Sequence, residues 1–285
     1  MTKLSRRNFI QKGTFAAGAT FALSQLPKSL FAEAKLASVP IGFQTWVVRD
    51  DIGKDFTGTL KKLSAEGYTL TELCSPKGYG GGFEPLAKIK PAELKKMMND
   101  IGISCPSCHF GMQELNNDLG SRIEWAKEVG LEHMVCSSFG LKENAPLKDY
   151  LDACDKLNKA GEKIKSAGLQ AGFHNHSVEF TTRDGKVIYD EMLKVLDPNL
   201  VKMQFQTEVI NLGFKASTYF EKFPGRFISS HLSDWSTSKE YVPVGKGVID
   251  WKEFFAAAKT AGVKHYFVEM DPVTLKESAE YIKQL

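Results

Sequence analysis

Seven polar side chains mark this 285-residue sequence, Glu72, His109, His174, His176, Gln206, His231 and Glu269, each near the end of a short apolar run. Imidazoles and carboxylates hold divalent metals and move protons near neutral pH. In Gly172-Phe173-His174-Asn175-His176 two imidazoles stand two residues apart at the end of an expected strand. Alternation points both to one face, where one metal or one substrate could meet them. Glu269 follows Tyr266-Phe267-Val268, a place where a buried carboxylate needs a cation or a donor. A divalent metal is one such partner and a Lys or Arg is another. Nitrogen and carboxylate ligands together suit Zn, Mn, Fe or Co, whereas an all-oxygen set favours Mg or Ca.

The rungs of this ladder are mostly about 25 to 40 residues apart, the length of a strand, a helix and two loops. Strands are expected to begin near Ile41, Thr69, Ser104, His133, Gln170, Val201, Phe227 and His265, with amphipathic helical stretches between them. Five of those helices end on glycine just before a strand, at Gly67, Gly102, Gly130, Gly168 and Gly262. Glycine accepts the left-handed conformation that closes a helix. The expected fold is α/β, a single-domain (β/α)8 TIM barrel, with the polar rungs at the C-terminal mouth. No G-x-G-x-x-G follows the first strand, and Gly78-Tyr79-Gly80-Gly81-Gly82 reads as a rim loop or lid.

With 42% hydrophobic and 25% charged residues the chain has ample material for a core. A formal charge of +3 gives no signal for a nucleic-acid partner. Ser5-Arg6-Arg7-Asn8-Phe9-Ile10, the apolar stretch Thr14 to Leu26 and Ala32-Glu33-Ala34 read together as a twin-arginine export signal over residues 1–34. Residues 35–285 then form the barrel, the location is periplasmic or otherwise exported, and membrane contact is confined to export. Five cysteines, Cys74, Cys105, Cys108, Cys136 and Cys154, form no disulfide framework. Cys105-Pro106-Ser107-Cys108-His109 matches a haem-attachment pattern but falls in the third expected strand.

His174-Asn175-His176 with Glu179-Phe180, Pro224-Gly225-Arg226, His231-Leu232-Ser233-Asp234, Gly245-Lys246-Gly247-Val248-Ile249-Asp250-Trp251 and Val268-Glu269-Met270-Asp271 carry a resemblance. From about residue 38 to 285 the chain resembles the xylose isomerase-like TIM-barrel superfamily, in its exported sugar phosphate isomerase/epimerase-like branch. The resemblance implies a divalent metal (Mn, Zn, Co or Mg) at the ends of strands five to eight. Position by position, its ligands fall on His174, Gln206, His231 and Glu269. Imidazole replaces a carboxylate at the first, and at the second Gln206 stands where the family commonly has Asp. Glu208, on the same side as Gln206 by strand alternation, could compensate for that lost charge. Ser233 stands where a Lys is common.

Proton transfer is assigned to Glu72, His109 and His176 around that metal. Trp46, Tyr79, Phe110 and Trp235 are candidates to stack on a sugar. The leading expectation is an isomerase or epimerase that removes a proton next to a sugar carbonyl. A lyase or hydratase of keto-sugars or 3-keto-glycosides is the alternative, and a sugar-binding protein without catalysis is the reading from another class.

Overall fold

The computed structural model describes residues 39–285. The expected leader, residues 1–34, lies outside the described residues. Eight parallel strands, β1 (Ile41–Gln44), β2 (Leu70–Cys74), β3 (Ser104–Gly111), β4 (His133–Ser138), β5 (Gln170–His174), β6 (Val201–Gln206), β7 (Phe227–Leu232) and β8 (His265–Val268), form a closed barrel. They stand in sequence order around it, and β1 closes on β8 with Ile41 opposite Tyr266. The fold is the (β/α)8 barrel expected from the sequence, with the eight strand starts recovered to within a residue.

Each strand is followed by a helix: α1 (Phe56–Glu66), α2 (Pro91–Asp100), α3 (Met112–Val129), α4 (Leu147–Ser166), α5 (Ile188–Val195), α6 (Ala216–Lys222), α7 (Trp251–Ala261) and α8 (Leu275–Ile282). α1 shows why these segments are helical. Asp55 Oδ1 accepts from Gly58 N at 2.8 Å, capping the first turn. Phe56, Leu60 and Leu63 are buried at helical spacing against the sheet. Burying each such side chain contributes roughly 1.5–3 kcal/mol. Gly67, at φ 103°, then turns the chain into β2.

Outward-facing strand residues and inward-facing helix residues make the apolar core, as where Phe205 of β6 meets Phe220 of α6. Phe110 belongs to this layer too. It packs on Trp125 of α3, fully buried, so it is not available to stack on a sugar. Inside the barrel the filling is largely polar, with Gln44, Glu72, Ser107, Gln204 and Ser229 fully buried. Phe267 is a large apolar exception, and it fits because its β1 neighbour is Gly42, where a Cβ would run into the ring.

The glycine-rich stretch after β2 differs from a free lid. Pro76–Tyr79 is a helical turn and Gly81–Lys88 a 3₁₀ run anchored by fully buried Phe83. A Cβ at Gly82 would run into the Arg49 carbonyl oxygen, so the stretch is packed against the short helix Arg49–Lys54. All five cysteines are free and buried, with Cys105 and Cys108 inside β3. Among the described residues no helix is long and apolar enough to cross a membrane.

Candidate active site at the barrel mouth

Glu72 is the deepest of the seven polar residues. It sits mid-strand in β2 beside Ser107 of β3, fully buried. Its Oε1 accepts from Ser107 Oγ at 2.5 Å and Gln204 Nε2 at 2.8 Å, and its Oε2 from Gln44 Nε2 at 2.7 Å and His231 Nε2 at 2.5 Å. Burial acts to raise this carboxyl, but the neighbouring His109 and His231 outweigh it and hold the group well below the usual carboxylate range. Glu72 is a charged group fully supplied with donors from four other strands.

His231, near the end of β7, lies between two carboxylates: Nε2 meets Glu72 and Nδ1 meets Glu269 Oε2 at 2.8 Å. Burial pulls the imidazole down, yet Glu269 and Glu72 push it up to about 10. With both nitrogens on carboxylates, the ring must give up a proton before it can hold a cation. Glu269 follows β8, held by its N–H donating to Leu232 O at 3.1 Å. Gln206, opposite His231 in the β6–β7 register, donates from Nε2 to the same Glu269 oxygen at 2.6 Å. The Gln206 carbonyl accepts from Ser233 Oγ at 3.1 Å. With Oε1 on Ser233 and Nε2 on Glu269, the Gln206 amide orients the Glu269 carboxylate.

His109 of β3 donates from Nε2 to Gln204 Oε1 at 2.7 Å, and the same nitrogen is 3.1 Å from Glu72. An amide oxygen only accepts, so this bond places a proton on Nε2. His174 ends β5 with its ring 4.9 Å from that of His109, 4.4 Å from His231 and 4.8 Å from His176. Burial, joined by His231, His176 and His109, holds His174 well below the usual imidazole range, so it is neutral. Its Nδ1 is buried without a hydrogen-bond partner.

Ligand atoms of His109, His174 and His231 all lie within 4.8 Å of one another. Three imidazoles, one with an orphaned nitrogen, beside two carboxylates are a donor set that fits a divalent cation of the Zn, Mn or Co kind. The sequence reading grouped His109 with Glu72 and His176 for proton transfer. In space it touches Glu72 and also stands with His174 and His231.

Above these groups opens a cavity of about 670 Å³, lined among others by Trp46, Tyr79, His109, His176, Tyr241 and Glu269. That volume is in the range of small-molecule sites. His176 reaches it from the extended segment after β5, and burial lowers its pKa, keeping it neutral. Glu208 also lines it, from the 3₁₀ turn Thr207–Leu212 rather than from the strand, and accepts from Ser177 Oγ at 3.3 Å. Trp46 and Tyr79 stand edge to face 6.0 Å apart, and the Arg49 guanidinium lies over Trp46. Trp235, by contrast, packs behind Tyr241 at 4.0 Å.

Sequence reasoning missed Gln44 and Gln204. Gln44 ends β1 and so is that strand's rung, while Gln204 precedes Gln206 by two and must share its inward face. Both were legible by alternation. Asp234 is structural. It accepts from Gly245 N, Gly247 N and Trp251 Nε1 at 2.8 to 3.0 Å, fastening the loop before α7.

The model of the xylose isomerase-like TIM barrel family matches residues 60–285. The chain belongs to that family. Among solved structures, this xylose isomerase-like barrel is similar to a sugar phosphate isomerase/epimerase from Parabacteroides distasonis (23% identity, TM-score 0.75, 91% of this chain and 98% of that one). It is similar in fold to a probable 3-DHS dehydratase from Bacillus anthracis (10% identity, TM-score 0.68, 86% and 98%). A D-allulose 3-epimerase from Methylomonas sp. shares the fold at 12% identity (TM-score 0.61, 87% and 98%). No curated protein matches the sequence. The xylose isomerase-like barrel thus carries at its mouth three clustered imidazoles beside two carboxylates, a donor set for a divalent cation.

Proposed function

We propose that this protein is a sugar isomerase or epimerase that removes a proton from the carbon next to a carbonyl. The observation that carries the reading is the buried His109, His174 and His231 triad, backed by Glu72 and Glu269, at the floor of a cavity with aromatic walls. His109, His174 and His231, with Glu269 beside them, would hold a divalent cation. When bound, it supplies polarisation of a carbonyl or hydroxyl and so acidifies the neighbouring C–H. The imidazole-rich set favours Zn, Mn or Co over Mg.

His176 lines the cavity as a neutral imidazole, the state a proton acceptor needs, and is the leading candidate base. His109, with Nε2 committed to Gln204, would meet a ligand through Nδ1. Neither Glu72 nor His231 lines the cavity; Glu72 contacts His109, which does, and would position both rings. Trp46 and Tyr79 would stack on a sugar face. The names of the similar structures, a sugar phosphate isomerase/epimerase and a D-allulose 3-epimerase, support a sugar substrate. The 3-DHS dehydratase on the same fold keeps elimination from keto-sugars or 3-keto-glycosides as the second reading.

Incubation of the metal-loaded protein in D₂O with a keto-hexose and with a 3-keto-glycoside, followed by NMR, tests both. Deuterium at the carbon next to the carbonyl with an epimerised or isomerised product is the expected result. Release of a hydroxyl or aglycone selects elimination. A sugar-binding role without catalysis is the conclusion if no product forms, and product free of deuterium overturns the proton-abstraction reading. Residues 1–34 would serve as a twin-arginine export leader, on the strength of Arg6-Arg7 and Ala32-Glu33-Ala34.

A further inference from the structure

His133 and His265 are the first residues of β4 and β8, strands on opposite sides of the barrel. All strands are parallel, so both sit at the N-terminal end, away from the mouth. Their rings meet across the barrel with centroids 5.2 Å apart. Glu132, just before β4, brings Oε2 to 3.8 Å from His133 Nε2 and 3.6 Å from His265 Nε2. Ligand atoms of the three residues lie within 4.8 Å of one another.

The His133 side chain is 4% exposed, and neither of its ring nitrogens has a hydrogen-bond partner; His265 Nε2 also lacks one. A buried imidazole with two idle nitrogens costs free energy unless something binds it. Two ligands on a tetrahedral zinc, each about 2.1 Å away, stand about 3.4 Å apart. The Glu132 oxygen is already close to that spacing from both rings.

We propose that Glu132, His133 and His265 form a second divalent-cation site, of the zinc type, at the N-terminal end of the barrel. Two imidazoles and one carboxylate leave the fourth tetrahedral position to water. Glu132 is exposed and gives an ion an entry path from solvent, while Lys264 is exposed beside the cluster and opposes a cation only weakly through water.

The test is calorimetric titration of the full-length, tag-free, chelator-stripped protein with Zn²⁺, repeated with Co²⁺ for its absorption spectrum. His174→Gln weakens the mouth centre, so that variant should still bind one equivalent of Zn²⁺. Adding His265→Gln should abolish that equivalent, and adding the surface change Glu132→Gln should weaken it at least tenfold. Circular dichroism checks that each variant folds, and Glu132→Gln keeps the test available if His265→Gln does not. The proposal is overturned if His174→Gln protein binds no Zn²⁺, or if Glu132→Gln leaves its affinity and its Co²⁺ spectrum unchanged. Neither outcome depends on catalysis at the mouth.

Discussion

Gln206 Nε2 lies 2.6 Å from Glu269 Oε2, so a neutral amide donates to the carboxylate beside it. The bond turns Glu269 onto His231, whose Nδ1 is 2.8 Å from the same oxygen. One neutral amide thereby holds together what two acids would push apart.

Gln206→Glu would set two carboxylates against each other. In chelator the variant should lose about 1–3 kcal/mol of stability, the cost of an unsatisfied buried group. It should also gain more in melting temperature than the parent when Zn²⁺ or Mn²⁺ is added, because the added anion strengthens attraction for a cation that binds only the folded state. Thermal unfolding with and without metal measures both. Equal melting points in chelator would show that Gln206 does not govern the Glu269 carboxylate.

Glu72→Ala leaves Gln44, Ser107, Gln204 and His231 facing a vacated anion in the barrel interior. Removing one partner of a buried charge pair costs roughly 3–5 kcal/mol. Urea denaturation should show that loss, and Glu72→Gln should recover only part of it, since its amide NH₂ would face donors. A loss under about 1 kcal/mol for Glu72→Ala would mean that the network contributes little.

Glu179 is 3% exposed, and burial raises its carboxyl to about 7 although it accepts from His176 N at 2.7 Å. Between about pH 4.5 and 7 the folded state therefore holds a proton that the unfolded state has released, so this residue's contribution to stability falls as pH rises through that window. His133, lowered to about 4, acts oppositely between pH 4 and 6.5, where the unfolded state holds the extra proton and stability rises with pH. Glu179→Gln keeps an acceptor for His176 N and removes the titration. Its stability relative to wild type should grow by up to about 3 kcal/mol from about pH 4.5 to 7, by the linkage of about 1.4 kcal/mol per pKa unit. A constant difference across that range would rule the shift out.

If residues 1–34 are an export leader, protein recovered from the periplasm of an expressing bacterium should begin at Lys35, as intact mass would show. Replacing both Arg6 and Arg7 with lysine should leave uncleaved protein in the cytosol. An uncleaved chain in both fractions would count against the leader.

The sequence alone determined the barrel. Apolar runs of strand length, helices closed by Gly67, Gly130 and Gly262, and their regular succession specify local structure that one topology satisfies. It also placed the polar rungs near the strand ends, because period-two alternation fixes which face a side chain takes. Alternation failed at Glu208, where the strand had already ended at Gln206 and a 3₁₀ turn took over.

What only the tertiary structure decided is which rungs touch. His109 meets His174 and His231 because β3, β5 and β7 face one another across a closed barrel, and strand register sets the height at which their side chains arrive. His133 and His265 are 132 residues apart in sequence and meet for the same reason, at the other end. Contacts across a barrel depend on closure and stagger summed over all eight strands. No local stretch of sequence carries that sum.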